Sequence, residues 1–308
     1  MKIIFMGTPD FAAKTLEAID RAGHEIALAV TQPDKPKGRS GKLAVSDVKQ
    51  YAIEHGIEVF QPEKVREASS IARLHKCESE LIVVAAFGQI LPKEILEMPK
   101  YGCINVHASL LPHLRGASPI QTSILLGDKE TGVTIQQMGE GLDTGDIISQ
   151  RSIPIEDDDT GGSLFDKLSE LGAELTVDTI KDIAAGGISP VPQDETQASY
   201  AKKIDKSMGH IDWNKDASEI ERMIRALNPW PSAYTYIDGK MLKIWSAGTE
   251  SEKTGTPGEV AEVMKDTITV SCGKGSLILK EVQLEGKKRM DVHDFLLGYK
   301  VQAGMDLA

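Results

Sequence analysis

Apolar and polar positions follow two different rhythms along this chain, and the change falls near residue 190. In the first part, KIIFMG (2–7) and EIALAV (25–30) read as strands, while FAAKTLEAIDRAG between them repeats its apolar residues at helical spacing. SDVKQYAIEHG reads as a helix with Ser46 as its N-cap, IEVF as a short strand and EKVREASSIARLH as another helix. ELIVVAA is an unbroken apolar run, bounded by Gly88 and Pro92, and suits a central parallel strand buried on both faces. GCINVH follows as a strand, SPIQTSILLG as a helix and GVTIQQM as a strand. Strands that alternate with helices predict βαβ units and a doubly wound, mostly parallel open sheet of α/β type, Rossmann-like in outline.

The long helical segment TGGSLFDKLSELGAELTVDTIKDIAAGG ends at Gly186 and Gly187. The polar stretch after it, with Pro190 and Pro192, reads as an interdomain linker over 190–208. From residue 209 to 308 one short helix precedes AYTYID, KMLKIWSAG, GEVAEVM, TITVSC and SLILKEVQL, each set off by turn residues. Short strands without intervening helices predict a small antiparallel β-barrel domain of OB type. The expected organisation is thus an α/β domain over 1–189, the linker and an OB-like domain.

Composition narrows the picture only in part. The 308 residues are 41% apolar and 26% charged, enough for two real cores in an ordinary soluble chain. Three well-separated cysteines without CxxC spacing argue against a disulfide framework or a zinc cluster and fit a reducing, cytoplasmic setting. MKIIFMG already reads as the first strand, so no leader is expected, and no apolar run approaches membrane length. His107 and His113 lie six apart across a proline-containing loop with no further ligand near, so no metal is expected. A net charge of −11 speaks against a general nucleic-acid coat. Yet PDKPKGRSGK gathers Lys35, Lys37, Arg39 and Lys42 against Asp34 alone, so a polyanion contact there would be local.

Chemistry enters at GCINVHASLLPHLRGASP (102–119). Side chains alternate along a strand, so Asn105 and His107 share a face, just where the strand runs into a loop. In open α/β sheets ligands bind beyond the carboxyl ends of strands. Downstream, GEGLDTGDII supplies Asp143 and Asp146 in a glycine-rich loop; two parallel strands would bring such loops together and set a carboxylate against the imidazole. A carboxylate near histidine favours the charged ring. An amide, an imidazole and a carboxylate together can hold an oxyanion and move a proton, which is equipment for acyl transfer. Read separately, each is also an ordinary turn or strand-end residue.

CINVHASLLPHLRGASPIQ followed by ETGVTIQQMGEGLDTGDI resembles the signature of the folate-dependent formyltransferases. MGTPDFA, TQPDKPKGR, FGQILP and NPWPSAY extend the likeness over nearly the whole chain, toward the branch that acts on methionyl-initiator tRNA. The resemblance implies a formyltransferase catalytic domain using 10-formyltetrahydrofolate as formyl donor, and a C-terminal domain that helps hold tRNA. It assigns Asn105, His107 and Asp143 to catalysis. It assigns Ser109, Leu110, Leu111 and Pro112 to the folate, with Gly88, Ile90 and Leu91 against the pterin. It places Lys35, Lys37, Arg39 and Lys42 at the tRNA. Phe87, Gln89 and Ala108 are small departures that touch the pocket lining and remove no catalytic group. A monomer is expected.

Other readings stay open at this level. A formyltransferase acting on a sugar nucleotide or glycinamide ribonucleotide would share the first domain. A non-catalytic RNA-binding protein would need the basic loop and the barrel, but not Asn, His and Asp at sheet ends. Cys103 shares the strand face and could serve as a thiolate, though a buried structural cysteine is the simpler reading. A nicotinamide dehydrogenase would be expected to show GxGxxG after its first strand, where FMGTPDFAA offers only Gly7. Trp213, Trp230 and Trp245 could stack bases or fill a core.

Overall fold

The computed structural model describes residues 1–37, 42–250 and 255–307, and the side chains at 36, 37 and 42 stand outside that description. Contacts divide the chain into two compact units: residues 1–119, 130–154 and 165–201 in the first, and 120–129, 155–164 and 202–308 in the second. The stretch expected as a linker is shared between them, through Ala201 with the first and from Lys202 with the second.

In chain order the elements up to Ala201 are β1 (Lys2–Gly7), α1 (Asp10–Arg21), β2 (Glu25–Val30), β3 (Lys35–Lys37), β4 (Lys42–Ala44), α2 (Asp47–Glu54), β5 (Val59–Phe60) and α3 (Ala68–His75). They continue with β6 (Leu81–Ala85), α4 (Lys93–Leu96), β7 (Cys103–His107), β8 (Arg115–Gly116) and α5 (Pro119–Leu126). Last come β9 (Glu130–Gln137), β10 (Ile147–Pro154), α6 (Gly161–Ala184) and β11 (Tyr200–Ala201). Seven of these strands form one sheet in the order β10-β9-β7-β6-β1-β2-β5. From β7 to β5 neighbouring strands pair parallel. All five residues of β6 are buried, as its unbroken apolar run requires of a strand covered on both faces. Ile4, Met6, Leu28, Val30, Ile82, Val84 and Cys103 join one core on this sheet. Ser46 caps α2 as expected, its Oγ accepting from Lys49 N at 3.1 Å.

One expectation fails. β9 was expected parallel to β7, and it pairs antiparallel, with Asn105 opposite Gln136 and His107 opposite Thr134. The connection through α5 is long enough to return the chain in either direction, so strand polarity was not written into the local pattern. β10 then adds antiparallel at the edge, half exposed along its length.

The second unit carries α7 (Ala217–Ala226), β12 (Ala233–Ile237), β13 (Lys240–Glu250), β14 (Val260–Val263), β15 (Ile268–Ser271), β16 (Ser276–Leu284), β17 (Met290–Asp291) and α8 (Val292–Gly298). Its strands pair antiparallel in the order β12-β13-β16-β15-β14, with β17 also on β16. This is the antiparallel β unit expected from the short, helix-free strand rhythm. Ile220 and Ile224 of α7 bury against Leu242, Ile244, Leu277 and Leu279. Trp213 belongs to that core, its indole N–H donating to the Leu307 carbonyl at 2.9 Å. Trp230 is exposed, whereas the Trp245 ring lies under the Arg289 guanidinium at 4.8 Å. Among the described residues no helix is long and apolar enough to cross a membrane.

Candidate active site

The site grows from two adjacent strands of opposite direction. Residues directly opposite in an antiparallel pair project to the same side. Asn105 and His107 of β7 therefore share a face with Gln136 and Thr134 of β9, and Gln150 of β10 lies opposite Thr134. These polar side chains line one patch of the sheet face. Thr134 Oγ1 accepts from Leu111 N at 3.0 Å and from Gln150 Nε2 at 2.9 Å, and donates to the Ser109 carbonyl at 2.6 Å. The loop that leaves β7 is thereby pinned from beneath.

Asp143 arrives from the loop between β9 and β10. That loop is closed at its base by Gln137 N donating to the Asp146 carbonyl at 2.8 Å. It then folds back over the face carrying Asn105 and His107. Asp143 sits at φ 53°, a left-handed conformation that costs a non-glycine residue of order 1 kcal/mol. Its carboxylate is firmly held. Oδ2 accepts from Gly116 N at 2.8 Å, and Oδ1 accepts from Gln136 Nε2 at 3.0 Å. Gln136 Oε1 accepts from Gly145 N at 3.1 Å, so one glutamine fixes both the carboxylate and its loop.

Toward Asn105 and His107 the contacts are looser. Asn105 Nδ2 lies 3.5 Å from Asp143 Oδ1, and His107 Nδ1 lies 3.7 Å from Oδ2. The imidazole is 6% exposed, and its other nitrogen, Nε2, lies 2.9 Å from the Leu114 carbonyl oxygen. A carbonyl only accepts, so Nε2 carries a proton and Nδ1 is the nitrogen available for chemistry. When the ring is protonated, Nδ1 bears a second N–H on the side of the Asp143 carboxylate. The amide and ring N–H groups can donate to an oxygen that gains negative charge, and the ring, oriented by the carboxylate, can deliver a proton beside it.

The residues expected at the folate divide by exposure. Ser109 and Leu111 are buried, and the Ser109 hydroxyl donates to the His113 carbonyl at 2.6 Å. Leu110 and Pro112 are half-buried. In the loop after β6, Gly88 takes φ 81°, Leu91 is buried, and Ile90 is held out at 85% exposure. Phe87 in the same loop accepts through its carbonyl from Gln32 Nε2 at 3.1 Å, and Gln89 Oε1 accepts from Val65 N at 2.8 Å. Of the positions expected at tRNA, Lys35 is exposed and Lys37 pairs with Lys42 across the β3–β4 hairpin. Arg39 lies outside the described residues, as do the side chains of Lys37 and Lys42. Cys103 is wholly buried; burial pushes its thiol up to about 12, far from a thiolate nucleophile at neutral pH.

Gln136, Thr134, Gln150, Gly116 and the Leu114 carbonyl were not anticipated. Alternation in GVTIQQM does put Thr134 and Gln136 on one side, so half of the signal was present. What was missing was the direction and register of β9, which set Gln136 opposite Asn105 and Thr134 opposite His107.

The formyl transferase family matches residues 1–180, and the C-terminal domain of formyl transferases matches residues 203–300. The methionyl-tRNA formyltransferase of Lachnospira eligens is 54% identical over 316 residues, covering 100% of this chain and 99% of its own. That of Agathobacter rectalis is 55% identical over 305 residues, covering 99% of this chain and 98% of its own. Among solved structures, WlaRD, a sugar 3N-formyl transferase crystallised in the presence of dTDP and 5-N-formyl-THF, superposes with a TM-score of 0.68. It is 23% identical over 94% of this chain and 99% of its own, a likeness of fold. The two matched domains and the full-length identity lead to one conclusion: the chain belongs to the formyl transferase family, in the branch of the methionyl-tRNA formyltransferases.

Proposed function

We propose that this protein transfers a formyl group from 10-formyltetrahydrofolate to the α-amino group of methionyl-initiator tRNA. The observation that carries the reading is the convergence of the Asn105 amide, His107 Nδ1 and the Asp143 carboxylate on one face. The folate supplies the formyl group, carried on its N10. Ile90 and Leu142 stand exposed in the loops that carry Gly88 and Asp143, and a flat heterocycle would lie against them. Leu110 and Pro112 would add to the lining, with Ser109, Leu111 and Leu91 shaping it from beneath. Lys35, Lys37, Arg39 and Lys42 would meet the tRNA phosphates.

In the reaction the amine nitrogen bonds to the formyl carbon, the bond from that carbon to N10 breaks, the amine loses a proton and N10 gains one. Free α-amines have a pKa of about 7.7–8.0, so generating the neutral nucleophile is the smaller problem. Holding the negative charge that develops on the formyl oxygen is the larger. Asn105 Nδ2 and His107 Nδ1–H are the donors for it, both only loosely engaged by Asp143 and so open to a substrate oxygen. Asp143, anchored by Gly116 and Gln136, faces Nδ1 and orients the ring for that donation. His107 Nδ1–H, or a water that it orients, is the proton source for the departing nitrogen.

The test is a competition: purified protein with 10-formyltetrahydrofolate, offered methionyl-tRNA, an amino-sugar nucleotide and glycinamide ribonucleotide side by side. Formyl-methionyl-tRNA is the expected product. Formylation of a small amine instead would replace the substrate, and tRNA binding without any formyl transfer would replace the reading.

A further inference from the structure

We propose that Gln193, in the stretch expected to be no more than a linker, is a positioning residue that sets the Asp143 loop for formyl transfer. The inference rests on the function proposed above. Gln193 Nε2 donates to the main-chain carbonyls of Asp143 at 2.8 Å and Gly145 at 2.7 Å. One amide group thus grips the loop on both sides of Thr144. Its carbonyl end, Oε1, accepts from Arg115 Nε at 3.0 Å and from Nη2 at 2.8 Å. Arg115 is 0% exposed, and its guanidinium also donates to Glu195 Oε1 at 2.7 Å and Oε2 at 2.9 Å.

The amide is therefore clamped from behind and has no freedom to flip its NH2 away from the loop. Arg115 immediately precedes Gly116, whose N–H holds Asp143 Oδ2. Its segment β8 is in turn paired to β11, seven residues past Gln193. A Cβ at Gly116 would stand 2.7 Å from the Ala201 carbonyl oxygen, so the two strips of chain are in close contact. The Gln193 grip on the loop main chain and the Gly116 N–H on Asp143 Oδ2 both join one brace of Arg115, Gln193 and Glu195, beside the separate hold of Gln136. A left-handed residue such as Asp143 needs its surroundings to hold it there. Gln193 touches no reacting atom. It acts through Asp143.

Two variants of the full chain test this, each against the parent and against Cys77→Ala, a buried change with no tie to the loop. Gln193→Leu removes the amide, while Gln193→Glu keeps the oxygen that faces Arg115 and replaces the donors with a carboxylate oxygen opposed to two carbonyls. The expected result for both is a ten- to hundredfold fall in kcat with KM for folate and for tRNA within twofold. Backbone exchange over 141–146 and at Gly116 is expected to quicken at least tenfold while β1 and β6 stay protected. A purely structural role would lower Tm as Cys77→Ala does and leave kcat with that control. The proposal is overturned if kcat tracks Cys77→Ala, if KM alone moves, or if neither variant folds, since a residue needed by the whole fold is not a positioning residue. If the parent itself fails to formylate methionyl-tRNA, the functional reading falls separately, and the exchange comparison still decides whether Gln193 orders the loop.

Discussion

His107 turns Nε2 inward to the Leu114 carbonyl at 2.9 Å and leaves Nδ1 facing Asp143 at 3.7 Å. The main chain has fixed the tautomer, and only one ring nitrogen can work on a substrate. Asparagine at this position would place its amide near the site of Nδ1, whereas glutamine would reach toward Leu114. His107→Gln is expected to lose about 10²–10³ in kcat, the usual cost of an oxyanion donor, and His107→Asn distinctly less. Single-turnover formylation assays check the order; equal losses would mean that Nδ1 is not the working atom.

Asn105→Ala removes the other donor. Turnover should drop by the same factor of about 10²–10³, or about 2.7–4 kcal/mol, while folate binding stays close to normal. Near-normal turnover in this variant would take Asn105 out of the mechanism. Gln136→Leu should lower kcat as well, because it frees both the Asp143 carboxylate and Gly145 N.

Cys103 shares the strand face with the catalytic candidates, yet its thiol is pushed up to about 12 by burial. Thiol-blocking reagents at neutral pH should leave turnover unchanged in the native protein. Cys103→Ala should remain active and lose about 1 kcal/mol of stability, a typical single-substitution effect. Inactivation that tracks modification of Cys103 would bring the thiolate reading back.

Glu195 is held below the usual carboxylate range by the Arg115 guanidinium. A carboxyl whose folded pKa is depressed stabilises the fold above its unfolded pKa, and that contribution disappears as pH falls through the folded value. The Glu195 side chain is 67% exposed, so solvent screens the effect. Parent and Glu195→Gln should therefore differ in Tm at neutral pH and converge on acidification below the carboxylate range. A gap in Tm that does not change between pH 7 and pH 3 would remove Glu195 from the brace.

Reversing Lys35, Lys37, Arg39 and Lys42 to glutamate should raise the tRNA KM without changing folate binding. If these side chains meet phosphates, each reversal also flattens the salt dependence of tRNA affinity by about one unit of slope. An unchanged salt slope would move the contact elsewhere.

The pattern of apolar positions was sufficient for the βαβ rhythm, the buried central strand Leu81–Ala85, the Ser46 cap and the switch to antiparallel strands after residue 209. Each of these is local: alternation, helical spacing and capping depend on residues a few positions apart. The pairing of Asn105 with His107 on one face was legible for the same reason, since a strand repeats every second residue. The direction of β9, and with it the meeting of Gln136 with Asn105, was not. Polarity of a strand depends on where a long connection brings the chain back, and that is decided by packing of the whole sheet. The left-handed turn at Asp143, the return of its loop across the sheet face, and the grip of Gln193 and Arg115 belong to the same class. They join residues tens of positions apart, through hydrogen bonds that exist only once the sheet has formed, so only the tertiary structure could place them.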